Sequence, residues 1–149
     1  MTDVMGLAQR LHRRIKWQEI PETLYTDDLI DIISDAIRML YVISGRTFQF
    51  SEDKFVIVKD DNEHITSAEF EDTLELDEQE WVLLEAEISF YNMALSNVDD
   101  LQSYTTDAMA VTHGDKPYKN IKATVEDRQE KQAVVWTRMV RFNQLGVSG

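Results

Sequence analysis

Apolar residues recur at helical spacing in four stretches of the chain. The clearest runs from Tyr25 to Ser44, where apolar side chains share one stripe and aspartates take the opposite side. Thr26 or Asp27 is placed to cap its first turn, and Gly45 can take the left-handed conformation that closes its last. The pattern predicts an amphipathic helix that ends at a glycine and is followed at once by Arg46.

A second long helix is predicted from Asp77 to Val98. Its apolar residues alternate at spacings of three and four, and further apolar residues widen the stripe. A helix this apolar is typical of a buried position. Asp77 and Glu80 have the spacing of a capping box at its start.

Two weaker helical patterns lie near the ends of the chain. Residues 3–17 form a modest amphipathic helix with Gly6 as its weak point, because glycine costs ~1 kcal/mol relative to alanine within a helix. The last pattern, Tyr118 to Leu145, is polar between Val125 and Ala133 and apolar afterwards. We expect such a helix to project from its domain or to find its partner elsewhere.

Between these helices the pattern changes to short extended segments. Lys54 to Thr66 reads as a β-hairpin, Ala68 to Leu76 as an acidic linker, and Ser103 to Pro117 as an extended arm or edge strand. The chain of 149 residues therefore predicts one mainly α domain, a small bundle of about four helices with a short β-hairpin insertion and an extended arm. Residues 118–149 form its terminal helix or arm, which we expect to act in assembly.

Charge is distributed unevenly along this pattern. The net charge is −13, made up of +2 in residues 1–20, −13 in 21–80, −5 in 81–117 and +3 in 118–149. Basic ends and an acidic middle suggest a molecule whose faces attract oppositely charged surfaces of its neighbours. A solvated surface that charge keeps soluble would account for the same distribution of charge. A chain with this much negative charge is a poor candidate for binding nucleic acid through its phosphates.

The residue types that carry chemistry are sparse. There is no cysteine, and the three histidines are far apart without metal-ligand spacing. Residues 60–63 are acidic but lack the pattern of a calcium loop, and no phosphate loop or dinucleotide fingerprint occurs. No apolar run is long enough for a membrane span, and no signal peptide is recognisable. We therefore expect neither an enzyme nor a metal or cofactor site, nor contact with a membrane.

A cluster near the C-terminus resembles interface composition instead. Within seven residues the chain places Trp136, Arg138, Met139, Arg141 and Phe142. Interfaces are enriched in aromatic residues, methionine and arginine, but the same apolar residues can pack on the domain's own core. Packing on the domain's own core accounts least well for the two arginines of this cluster.

Taken together, these segments resemble a known family. The Ser44-Gly45-Arg46-Thr47-Phe48 exit of the first long helix, the buried helix and the Ser-Tyr-Thr segment after Gln102 are similar to the head-tail connector (adaptor, or head completion) proteins of tailed bacteriophages. The corresponding segments are 3–17, 27–48, 77–98, 102–111 and 118–145. The acidic insertion 49–76 departs from that pattern.

The resemblance implies a structural, non-enzymatic virion protein at the head–tail interface, made in the host cytoplasm. Such proteins form a homo-oligomeric ring, typically dodecameric, beneath the portal. The ring extends the DNA channel, passes double-stranded DNA without sequence-specific binding, and offers a surface to a stopper or tail-completion protein. By position, portal binding would fall on Trp136, Arg138, Met139, Arg141 and Phe142. Contact with an adjacent subunit or the next ring would fall on Tyr104, Thr105, Met109, Val111 and His113.

Two other functions fit parts of the sequence. One is a small acidic cytoplasmic regulatory protein that binds a partner through its amphipathic terminal helices, with Val134 to Phe142 docking in a groove. The other is acid–base hydrolysis by paired carboxylates, which would need a pocket that gathers them with a histidine.

Overall fold

The computed structural model describes residues 1–15, 26–96 and 116–147. It confirms the mainly α class, with a small antiparallel sheet beside the helices. The elements are β1 (Thr2–Asp3), α1 (Val4–Arg14), α2 (Thr26–Ile43), two single 3₁₀ turns (Thr47–Gln49 and Glu52–Lys54), β2 (Phe55–Lys59), β3 (Ile65–Phe70), α3 (Leu76–Ser96) and α4 (Lys116–Val147).

Helix α1 starts with a side-chain cap that depends on Gly6. The Asp3 carboxylate accepts a hydrogen bond of 3.0 Å from the Gly6 backbone N–H. A Cβ atom at position 6 would lie 2.6 Å from Asp3 Oδ2, so the Asp3 side chain would have to shift to admit a larger residue. The missing side chain of Gly6 therefore makes room for the cap, which offsets part of the cost of a glycine in the helix.

Helix α2 ends as its sequence predicts. Gly45 has φ +68°, and its N–H donates to the carbonyl oxygen of Val42 at 3.2 Å. The Arg46 N–H reaches back to the carbonyl oxygen of Tyr41 at 2.8 Å, which completes a Schellman motif. At the other end the helix begins at Thr26, so Thr26 and Asp27 both lie inside the first turn and neither precedes it as the cap.

The predicted hairpin is confirmed, but the sheet around it is larger than expected. Strands β2 and β3 pair antiparallel, with Phe55 opposite Phe70 and Ile57 opposite Ala68. The other edge of β3 pairs with β1, giving the order β1-β3-β2. Assigning residues 68–76 to a linker was wrong, because Ala68 and Phe70 lie in β3 and are buried in the core.

Helix α3 is the central element of the bundle, and the prediction that it is largely buried is confirmed. Its cap differs from the predicted one. The Glu78 carboxylate accepts a hydrogen bond of 3.0 Å from the backbone N–H of Glu75. Asp77 and Glu80 do not form the box, because their carboxylates bind arginines of other helices.

Helix α4 packs along α3 and does not project from the domain. Apolar residues from both halves of the helix are buried against the core, namely Ile121, Val125, Val135 and Met139. The expectation of a projecting helix was therefore wrong over residues 121–139. Most of the predicted extended arm, residues 103–115, lies outside the described residues.

Candidate functional site

Strand β2 has a free edge in the part of the chain that the structure describes. Among the described residues β2 pairs with β3 alone, so its outer backbone groups face away from the sheet. Three successive apolar residues on it are about half exposed: Val56 (49 %), Ile57 (43 %) and Val58 (49 %). An exposed apolar edge strand is an interaction-prone feature that soluble proteins normally cover or charge.

The turn of the hairpin is acidic and well ordered by its own hydrogen bonds. Asp60 Oδ1 accepts the backbone N–H groups of Asn62 at 2.9 Å and of His64 at 3.0 Å. Glu63 takes a positive φ of 62°, and its N–H donates to the Asp60 carbonyl oxygen at 3.0 Å. Asp60, Asp61 and Glu63 are all exposed. The hairpin tip therefore presents a compact negative charge beside an apolar edge.

An aromatic cluster holds the base of the hairpin against the helices. The Phe70 ring lies 4.8 Å from Phe55, 5.8 Å from Tyr41 and 6.2 Å from Phe50, measured between ring centroids. Phe70 itself is completely buried. Aromatic pairs at these separations add to the free energy gained from burial, so the cluster fixes the hairpin to α2.

A polar depression of about 460 Å³ lies next to this cluster. Its lining includes Tyr41, Arg46, Lys54 and Asp72, and these groups bind one another or nearby residues. The Tyr41 hydroxyl donates to Asp72 at 2.6 Å, Lys54 Nζ reaches Asp72 at 3.0 Å, and Arg46 stacks 4.7 Å from the Tyr41 ring centre. Arg46 also binds Glu78 at 2.6 Å.

These contacts determine which of the groups that line the depression are charged. Burial, with the hydrogen bond to Asp72, raises the pKa of Tyr41 far above its ordinary value. The same hydrogen bond, together with Lys54, lowers the pKa of Asp72 below its ordinary value of 3.8. Tyr41 therefore keeps its proton at neutral pH while Asp72 stays ionised. These hydrogen bonds and ion pairs join α2, the hairpin and the start of α3. The side chains that line the depression therefore serve to hold these elements together.

We expect Asp72→Asn to destabilise the protein at neutral pH by about 1 kcal/mol, since a charged hydrogen-bond acceptor is lost at a partly exposed position. The folded-state pKa of Asp72 is lowered, so its stabilisation is present above the unfolded-state pKa and disappears as pH falls through the folded one. Urea denaturation should show the difference between variant and wild type shrinking below pH ~4. Asp61→Asn, at the exposed tip, is the matched control. A constant difference down to low pH would contradict the assignment.

One buried carboxylate joins three helices. Glu87 of α3 is 1 % exposed, and its oxygens lie 3.1 Å from Arg128 Nε of α4 and 3.6 Å from Arg14 Nη1 of α1. Arg14 also binds both oxygens of Glu80, at 2.9 and 2.5 Å, and lowers the pKa of that carboxyl. The sequence contains no signal that distinguishes Glu87 from the other glutamates of the helix, so this network was not predicted.

The network is part of a register between α3 and α4. Asp77 binds Arg138 at 3.0 Å, Glu85 binds Gln132 at 2.7 Å, and Glu87 binds Arg128. Residue numbers rise along α3 as they fall along α4, so the two helices are antiparallel. The polar stretch of α4 therefore lies opposite the carboxylates of α3, and the apolar residues on either side of it pack into the core.

This packing changes the meaning of the C-terminal cluster. Met139 is buried, and Trp136 is half-buried against the core. While α4 is docked, Met139 is therefore covered and Trp136 is only partly exposed, and their role in portal binding stays a prediction. Arg138 is exposed and paired with Asp77, and Arg141 is exposed. The placement of the Phe142 side chain is not among those that the structure describes.

The second set of candidate contact residues falls in an undescribed part of the chain. Tyr104, Thr105, Met109, Val111 and His113 all lie between residues 97 and 115, outside the described ranges. Their role toward an adjacent subunit or the next ring stays a prediction.

Helix α2 contributes an acidic face. Asp28, Asp31 and Asp35 are exposed at spacings of three and four, so they are neighbours on the helix surface. Partial burial and the nearby charge of Asp35 and Asp28 raise the pKa of Asp31. Like charges at this spacing cost helix stability, and Arg38 offsets the effect only at one end by binding Asp35.

Within the described ranges, no group of three or more histidine or acidic side chains is arranged to hold a metal ion. No helix there is both long and apolar enough to cross a membrane. No known protein family, curated protein or solved structure matches this chain.

Proposed function

We propose that this chain is a structural virion protein that forms a ring beneath the portal, joins the DNA-filled head to the tail and extends the DNA channel. The observation that carries the proposal is the exposed apolar edge of β2 with its acidic tip. A protein of net charge −13 has little reason to keep three adjacent apolar residues in water unless another molecule covers them.

The distribution of charge supports the same proposal. A closed ring of identical copies needs two different, complementary patches on each subunit. The acidic hairpin tip and the basic residues of α1 and α4 supply unlike patches on one chain. The exposed aspartates of α2 would repel phosphates, so duplex DNA passing such a face would slide without sticking.

Portal docking in this proposal rests on the accessible arginines of the C-terminal cluster. Arg138 and Arg141 remain exposed after α4 has packed, whereas Met139 does not. The competing function, in which the Val134–Phe142 stripe docks in a groove of a cellular partner, is less well supported. It would require α4 to leave α3, because Val135 and Met139 already pack there.

Native mass spectrometry of the purified protein, alone and with purified portal, tests the proposal. The expected result is a closed complex with one defined copy number, formed by the protein alone or on the portal. In the variant R138A/R141A portal binding should fall at least ~10-fold, since charged contacts at an interface control association.

The matched control is K122A/K131A, which removes two exposed lysines of the same helix and should bind portal normally. A chain that stays monomeric at all concentrations and ignores the portal would overturn the proposed function.

A further inference from the structure

We infer that the hairpin tip and β2 edge of one copy dock on the basic face of α1 in a second copy of this chain. This inference rests on the proposed ring and names the two surfaces that meet in it. The first surface, called the hairpin edge, consists of Val56, Val58, Asp61 and Glu63. The second, called the α1 face, consists of Gln9, Arg10 and Arg13.

The hairpin edge has two properties that call for a partner. Val56 and Val58 point to the outer face of β2, since Phe55 and Ile57 are paired with the buried Phe70 and Ala68 on the other face. Both valines are 49 % exposed. The adjoining tip carries negative charge at Asp61 and Glu63, which identifies the partner surface as basic.

The α1 face has the opposite charge. Arg10 and Arg13 are one turn apart and exposed. Neither takes part in the ion pairs found among the described residues, whose cations are Arg14, Arg38, Arg46, Lys54, Arg128, Lys131 and Arg138. Arg10 and Arg138 both help to lower the pKa of Glu80, which places α1 and α4 arginines around the same carboxylate.

The hairpin strand β2 and the strand that leads into α1 lie on opposite edges of one sheet. The strand order is β1-β3-β2, so β2 forms one edge while β1, which leads directly into α1, forms the other. A subunit with unlike patches on opposite sides associates head to tail, which leaves a free patch at each end for the next copy. Pairing of two hairpins with each other would stop at two copies.

Paired cysteines test this contact cleanly, because the natural chain has no cysteine. N62C marks the hairpin tip and Q9C marks the α1 face, and neither substitution removes a charge. Under the conditions in which the wild-type ring forms, we expect a mixture of N62C and Q9C to form a disulfide-linked dimer. The double variant Q9C/N62C should give a ladder of linked copies.

The matched control is Q129C, an exposed glutamine on α4. Cross-linking of N62C to Q9C should be at least ~10-fold faster than to Q129C. Placing R10E/R13E in the Q9C copy should slow it by ~10-fold or more, and adding D61K/E63K to the N62C copy should restore it, because complementary charge steers association.

Two results would overturn the inference. One is N62C linking to itself as fast as to Q9C, which would indicate hairpin-to-hairpin pairing. The other is a wild-type ring on the portal in which N62C and Q9C do not link, which would leave the proposed function standing and move the subunit contact elsewhere. Failure of any ring to form is a separate outcome, and it overturns the proposed function together with this inference.

Discussion

Phe70→Ala is expected to lower the free energy of unfolding by about 3–5 kcal/mol, since a large aromatic side chain is removed from a fully packed site. The ring is completely buried and contacts three other aromatic rings, so its loss leaves a cavity that rigid neighbours cannot fill. Urea denaturation followed by far-ultraviolet circular dichroism measures the change.

Phe48→Ala is the control for this variant. It removes the same side chain from a position that is 81 % exposed, so the free energy of unfolding should change by less than ~0.5 kcal/mol. Equal effects at positions 48 and 70 would show that the aromatic cluster does not hold the hairpin base.

Glu87→Ala should cost about 2–4 kcal/mol, somewhat less than the loss of a fully buried ion pair, because Arg14 and Arg128 are partly exposed. The substitution leaves two guanidinium groups beside an apolar core without their shared carboxylate. We expect α4 to loosen first, because Arg128 loses its main contact with α3 while Arg14 keeps Glu80. Amide hydrogen exchange of residues 121–141 reports that loosening directly.

Glu130→Ala provides the comparison for the Glu87 variant. Glu130 is an exposed glutamate on α4, and its removal should leave both stability and amide exchange nearly unchanged. If Glu87→Ala cost under 1 kcal/mol and left exchange in α4 unaltered, the carboxylate would not be what holds the two helices together.

The helices and the hairpin could be predicted because their signals are local. The α2 stripe and the glycine at position 45 depend only on neighbours in sequence, and both are present as expected. The assignment of residues 68–76 to a linker failed for the opposite reason. Ala68 and Phe70 pair with Ile57 and Phe55 of β2, and Phe70 also pairs with Thr2 of β1, which is only two residues long and has no periodic pattern of its own.

The difference between local signals and contacts between distant residues also explains which features of the terminal helix and of the candidate site could be predicted. The polar run of α4 looked unpartnered because the residues that satisfy Arg128 and Gln132 lie more than 40 positions away, on α3. The acidic tip of the hairpin was visible in the sequence, whereas the free edge beside it depends on the strand order. Arg138 and Arg141 stay exposed as the sequence suggested, whereas Met139 does not.

The bond between Glu87 and Arg128 has a consequence for biosynthesis. A ribosome releases the chain from its N-terminus, so β1, α1, α2, the hairpin and α3 all emerge before residue 128 does. Until then the α3 carboxylates that will bind α4 face water. The earlier elements can therefore begin to collapse first, but the layer that α4 forms on α3 closes only after α4 has been synthesised.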